Sequence, residues 1–217
     1  MSWITATSDL RTLLSDGPTD KIRYRKSVFG QKNGANKRFK TFEPRRVTDL
    51  TTATQPFGVF INGSLVATAS DDLIVGEFEL VTAPVDGDFV EATYYYQWFI
   101  DSELAVFLKN AAQWLGKGAD ITTVPDGLQP AALHHAAQES YHKLALKWSE
   151  HMSEMYLLED APKDGSKDVL EGYRALAKDF TEKATALRND FYERQGQSIQ
   201  PIVTSIIGSV RDVKPQR

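Results

Sequence analysis

The chain predicts an α+β fold: a small antiparallel β-sandwich or half-barrel module, then an antiparallel helical bundle with an extended C-terminal tail. Three observations carry this. Residues 58–96 read GVFINGSLVATASDDLIVGEFELVTAPVDGDFVEATYYY, short runs broken by chemically specified turns. At Asp101 the apolar period changes from that of a strand to that of a helix. Beyond it, two long segments carry matched apolar stripes joined by a short turn.

Each element has a local reason. SDLRTLLS (8–15) predicts a short helix, with Ser8 as its cap, Asp9 near its positive end and Leu10, Leu13 and Leu14 as its apolar face. Gly17-Pro18 ends it. IRYRKSVF (22–29) alternates apolar or aromatic with basic positions over its first five residues, a strand period. Asn33-Gly34 predicts a hairpin turn, because both residues tolerate positive φ, and RFKTF (38–42) resumes the alternation. Pro44 argues against a continued central strand, and 47–55 reads as a loop.

Strands follow at 57–61 and 64–68 around Asn62-Gly63, with Asp71-Asp72 in a turn. Further strands are predicted at 77–81 and 89–98, separated by PVDGD, where Asp86-Gly87 is a third hairpin signal. In the last strand Tyr94 and Tyr96 share one face and Tyr95 takes the other.

Residues 102–116 predict a helix with Leu104, Phe107, Ala111, Trp114 and Leu115 on one side, stopped by Gly116 and Gly118. A helix over 130–158 carries Leu133, Ala137, Tyr141, Leu144, Trp148, Met152 and Met155. After DAPKDG (160–165), Ser166 caps a second long helix to about 193, with Leu170, Tyr173, Ala177, Phe180, Ala184, Leu187 and Phe191. The organisation is therefore an N-terminal helix on the bundle (1–19), a β-module (20–100), a helical bundle (101–194) and a tail (195–217). Alone, such a tail is a poorly ordered terminus; bound to another subunit it adds a strand or fills a groove.

Composition bounds the function. With 217 residues the chain can bury a sizeable core unaided. It has no cysteine, which excludes a disulfide framework, a thiolate zinc site and a cysteine nucleophile, and fits assembly in a reducing cytoplasm. No apolar run approaches the roughly 18 residues of a membrane span, and MSWITATSDLRTLL lacks the layout of a signal peptide. The net charge of −4 hides a polarity. Residues 21–46 hold ten Lys and Arg against Glu43 alone, residues 51–160 hold 16 acids against 4 bases, and the last 57 hold 10 bases against 8 acids. In a repeated assembly, opposite regions of this kind meet.

No catalytic constellation emerges. His134, His135, His142 and His151 lack the HxxxH or HExxH spacing of a metal site and read as solvated or interface helix residues. Asp71, Asp72, Asp86 and Asp88 read as turn residues, not as paired acids or a calcium loop. There is no G-x-S-x-G, P-loop or G-x-G-x-x-G. The expectation is a non-enzyme with no cofactor and no metal. The charged residues Arg23, Arg25, Lys37, Arg38 and Lys40, interleaved with Tyr24, Phe39 and Phe42, read as a solvated strand face, a contact with an acidic protein surface, or a phosphate-touching surface.

Gly34-x-Asn36-x-x-Phe39-x-Thr41, Val59-Phe60-Ile61-Asn62-Gly63, Gly76-x-Phe78-x-Leu80 and Ala83-Pro84-x-x-Gly87-Asp88, ending in an aromatic strand, resemble a small β-domain of tailed-bacteriophage structural proteins. Such a module on a helical hairpin with an apolar tail is similar to a head–tail connector adaptor of the virion neck. The resemblance implies a structural protein assembled in the host bacterial cytoplasm as a ring, usually twelvefold, between portal and tail or stopper protein. It implies that Ile202, Val203, Ile206, Ile207 and Val210 dock onto the portal or a neighbouring subunit. Fibre or capsid contact would run through the β-module, with transient non-specific DNA in the channel and no membrane. The alternatives are a tail-completion or fibre-attachment protein, and a nucleic-acid-binding module using residues 21–46.

Overall fold

The computed structural model describes residues 3–43, 45–156 and 166–196. The order is α1 (Trp3–Leu14), β1 (Ile22–Ser27), β2 (Arg38–Lys40), β3 (Gly58–Ile61), β4 (Ser64–Val66), β5 (Thr68–Asp72), β6 (Glu77–Leu80), β7 (Val90–Tyr95), α2 (Asp101–Trp114), α3 (Gln129–Tyr156) and α4 (Ser166–Arg194). Short 3-10 turns at Ile121–Thr123 and Asp126–Leu128 lead into α3. The chain is α+β, as expected: four helices and two antiparallel sheets.

Helix α1 starts earlier than Ser8. Residues 3–7 join because Ala6, Leu10 and Leu14 fall at i, i+4 and i+8 and are fully buried against the other helices. Ser8 is therefore mid-helix, its carbonyl accepting from Thr12 Oγ1. Ser15 ends the helix in the left-handed region at φ 49°.

One sheet has the order β1-β7-β3-β4, the other β2-β6-β5. This corrects three expectations. The basic stretch is not a continuous hairpin ladder: β1 pairs with β7 and β2 with β6, and the backbones of the two arms meet at a single Phe29–Lys40 bridge. Asn33 instead folds its carboxamide onto the amides of Ala35 and Asn36, making a corner between sheets. Asp86-Gly87 likewise joins strands of different sheets, β6 and β7. Residues 68–72 form a strand, and the turn falls beyond them, where the Asp72 carboxylate accepts from the amides of Ile74 and Val75.

The Asn62-Gly63 reversal between β3 and β4 holds, with φ of 49° and 84° at its two residues. Phe39, Phe78 and Leu80 from one sheet meet Val59, Val90, Ala92 and Tyr94 from the other in one buried cluster. Strand alternation puts them there, and it leaves Tyr95 half-buried on the opposite face, against Phe57.

The helical elements follow their stripes. Helices α3 and α4 run antiparallel: Tyr141 stacks on Phe180 and meets Tyr173 at a tilt, while His134, about two turns earlier, also meets Phe180. At the far end Phe191 lies where a Cβ on Gly127 would stand, so that position admits only glycine without displacement. Helix α2 adds Leu104, Phe107, Leu108, Ala111 and Ala112 to the same core. Among the described side chains of α4, Ala177, Phe180, Ala184 and Arg188 are buried; Leu170, Tyr173, Leu187 and Phe191, expected inside, are only partly buried. Trp98 packs against both the helical and the β core, so the two meet at the end of β7.

Candidate interaction site

The junction between the two cores is held by charges. Asp16 lies in the loop after α1 with its side chain fully buried. Its carboxylate accepts from the amides of Trp98 at 2.7 Å and Phe99 at 3.2 Å and pairs with Lys21 at 3.1 Å and Arg11 at 3.3 Å. Burial raises its pKa, against the pull of the Trp98 amide and Lys21. Arg11 continues to Asp101 at 2.6 Å, and Lys21 lies 3.9 Å from the Trp98 ring centroid. A second clamp is Glu103 on α2, which takes Arg45 from the β-module and Lys143 from α3, each at 2.9 Å. Burial opposes the charge of Glu103, but Lys143, the Ile100 amide and Arg45 outweigh it and hold the carboxyl below its usual range.

Between these clamps a cleft of about 620 Å³ opens along Phe42, Tyr96, Trp98, Leu144, Trp148 and Tyr173. Arg23, Glu43, Arg45 and Lys147 stand on its walls. Glu43 accepts from the buried Tyr94 hydroxyl at 2.8 Å and from Arg23. Burial, and then the Glu43 carboxylate, push the Tyr94 hydroxyl up, so it stays protonated and donates. An aromatic floor with a charged rim at the meeting of two cores is the chemistry of a site for an apolar or aromatic group.

The five basic residues read from the sequence are not brought together. Arg23 and Arg25 lie on β1, whereas Arg38 and Lys40 lie on β2 in the other sheet, with Lys37 exposed just before it. Arg23 is bound to Glu43 at the cleft. Arg25 lies 3.4 Å from the Phe60 ring centroid and 4.0 Å from Glu91. Across the β2–β6 pair, Arg38 faces Glu79 at 3.9 Å and Lys40 faces Glu77 at 3.8 Å. Four of the five therefore have carboxylate neighbours, three of them drawn from the acidic stretch and one, Glu43, from the basic stretch itself.

Sequence reasoning missed Asp16, Arg46 and Arg188. Arg46 is buried and forms a two-pronged pair with Asp71, which also accepts from the Leu50 amide at 2.7 Å. The Asp71 carboxylate thus has a partner in the interior, not only a turn to close. No local pattern marks the burial of Asp16 or Arg46, since the Trp98 and Phe99 amides lie 82 and 83 residues from Asp16 and Asp71 lies 25 residues from Arg46.

His134 bonds the Pro130 carbonyl at 2.8 Å, and His135 stacks on Trp114 with ring centroids 4.5 Å apart. Burial lowers the His135 pKa to about 4. Among the described residues no group of His, Asp or Glu is placed to hold a metal ion, and no described helix is long and apolar enough to cross a membrane. Ile202, Val203, Ile206, Ile207 and Val210 lie outside the described residues. No family model, curated protein or solved structure matches the chain.

Proposed function

We propose that this chain is a structural protein of a tailed-phage virion, an adaptor that forms a ring in the neck between portal and tail. The observation that supports the reading most is the structural use of the residues that carry the resemblance. Phe39, Phe78 and Leu80 form the inner face of one sheet, and Gly34, Gly63, Gly76 and Gly87 turn the chain at positive φ. That module joins an antiparallel helical hairpin through charge clamps. Its ring neighbours would meet through charge complementarity, and the tail residues 202–210 would dock on the portal or an adjacent copy. Docked isoleucines would contribute on the order of 1.5–3 kcal/mol each if fully buried, offset by the ordering of the segment. The nucleic-acid alternative draws less support, because the cations it needs are divided between two sheets and face carboxylates.

The test mixes purified protein, with and without its last 20 residues, with the candidate portal and images the products by electron microscopy. A ring on the portal that needs the tail is the expected result. No association of the full chain would overturn the portal-adaptor reading and favour tail or fibre attachment.

A further inference from the structure

Arg188 occupies a core-facing slot of α4, between Ala184 and Phe191, and is only 7% exposed. An arginine cannot relieve burial by losing its proton. An unpaired buried charge costs several kcal/mol, so such a residue is ordinarily matched by a carboxylate. Here none of the described carboxylates supplies the match. On α4, Asp179 pairs with Lys183, Glu182 with Lys178 and Asp190 with Arg194. On the neighbouring helix, Glu139 takes Asn110 at 2.8 Å and lies 3.9 Å from His135. Arg188 makes one bond to a neutral partner, Nη2 to Asn189 Oδ1 at 3.3 Å, and its buried Nε has no partner.

The surroundings compensate only in part. The guanidinium lies 5.0 Å from the Trp114 ring centroid, a contact worth about 0.5–2 kcal/mol. The same indole stacks on His135, whose buried Nδ1 makes no hydrogen bond. Trp114 is only partly buried, so this group of side chains borders the surface where α2, α3 and α4 converge. A water molecule would satisfy the Nε hydrogen bond but would not balance the charge. An oxyanion would do both, because the guanidinium edge matches a pair of its oxygens.

We propose that Arg188, lying over the Trp114 indole, binds an oxyanion, a carboxylate or phosphate group that comes from outside this chain. The group is either a free ion or a carboxylate carried by a second copy. Nothing in this site depends on the neck assignment.

The test uses the full chain as wild type, Arg188→Met and Arg188→Lys. Melting temperatures are compared in sodium phosphate, sodium acetate and sodium chloride at matched ionic strength, and sedimentation velocity is run in chloride. For a free ion, phosphate or acetate raises the wild-type melting temperature by roughly 3–6 °C at ten times its dissociation constant. Arg188→Met shows no such shift and melts above wild type in chloride. For a carboxylate from a second copy, neither ion acts, but the wild type self-associates at least about tenfold more tightly than Arg188→Met. Absence of both an ion response and an Arg188-dependent association overturns the proposal. Arg188→Lys keeps the charge without the fork and serves where the methionine variant does not fold. It should respond or associate about tenfold more weakly than wild type, and equality with wild type would overturn oxyanion recognition by the guanidinium.

Discussion

In the helical bundle the interior is made of Leu, Ala and aromatic side chains contributed by α1 to α4. In the β-module a smaller apolar cluster is closed by polar contacts: Arg46 with Asp71, and Glu43 with Tyr94 and Arg23. The difference follows from backbone accounting. A helix satisfies its own amides and carbonyls, so its buried face can be wholly apolar. The strands here are three to six residues long, and around the irregular chain between β2 and β3 side chains complete part of the backbone pairing. Asp71 accepts the Leu50 amide, Thr48 Oγ1 accepts the Tyr95 amide, and Thr41 bonds the carbonyls of Glu43 and Gly76. Stability in the module is therefore concentrated in few contacts, whereas in the bundle it is spread over many.

Substitutions can break or sharpen that contrast. Asp71→Ala should cost the most, about 3–5 kcal/mol, since it strands the Arg46 charge in the interior. Urea denaturation measures it, and a loss below about 1 kcal/mol would remove the polar half of the contrast. In the bundle, Leu104→Ala should cost about 3 kcal/mol through the cavity left at a fully buried position. The same denaturation curves report it, with a shift in midpoint at unchanged slope.

Asp16 belongs to neither core and ties them together. Asp16→Asn removes the charge facing Lys21 and Arg11 and should cost about 2 kcal/mol. It should also separate the calorimetric transition of the β-module from that of the bundle. One undivided transition would mean that apolar contact around Trp98 suffices for coupling.

The bundle has its own polar exception. His135 takes up a proton near pH 6.5 when unfolded but only near 4 when folded, because burial disfavours the imidazolium. Below pH 6.5 the unfolded chain therefore binds more protons, and this residue's contribution to stability falls as pH drops towards 4. The slope is at most about 1.4 kcal/mol per pH unit. Asp16 and Glu139, whose pKa values burial raises, act with the opposite sign. The readout is thus the difference between wild type and His135→Phe, and parallel pH profiles would refute the assignment. Smallest of all, Gly63→Ala should cost about 1 kcal/mol, because alanine is strained at φ 84° in an otherwise open turn.

Much of the architecture is legible in the residues. The bounds of α2 and α4 and the start of α3 agree with the stripes to within two residues, because the period of 3.6 is a local property. Asn62-Gly63 turns where its chemistry requires, and Tyr94 and Tyr96 share the face that alternation assigns them. Asn33-Gly34 and Asp86-Gly87 carry equally strong turn chemistry, yet each joins different sheets. A turn signal says that the chain reverses; it does not say which strand it will lie beside. At the cleft, the aromatic strand end was visible in Tyr96 and Trp98, but Glu43, Tyr173 and Lys147 come from segments with no shared pattern.

By itself, then, the sequence determined the class of fold, the helical hairpin and the alternating faces of the last strand, all of which depend on periods read over neighbouring residues. Only the tertiary structure decided that β1 lies beside β7, that Asp16 and Arg46 are buried with their partners, and that Arg188 rather than Leu187 faces the core. Those outcomes depend on which distant groups meet away from water, where an ion pair or an unpaired charge weighs far more than it does on the surface.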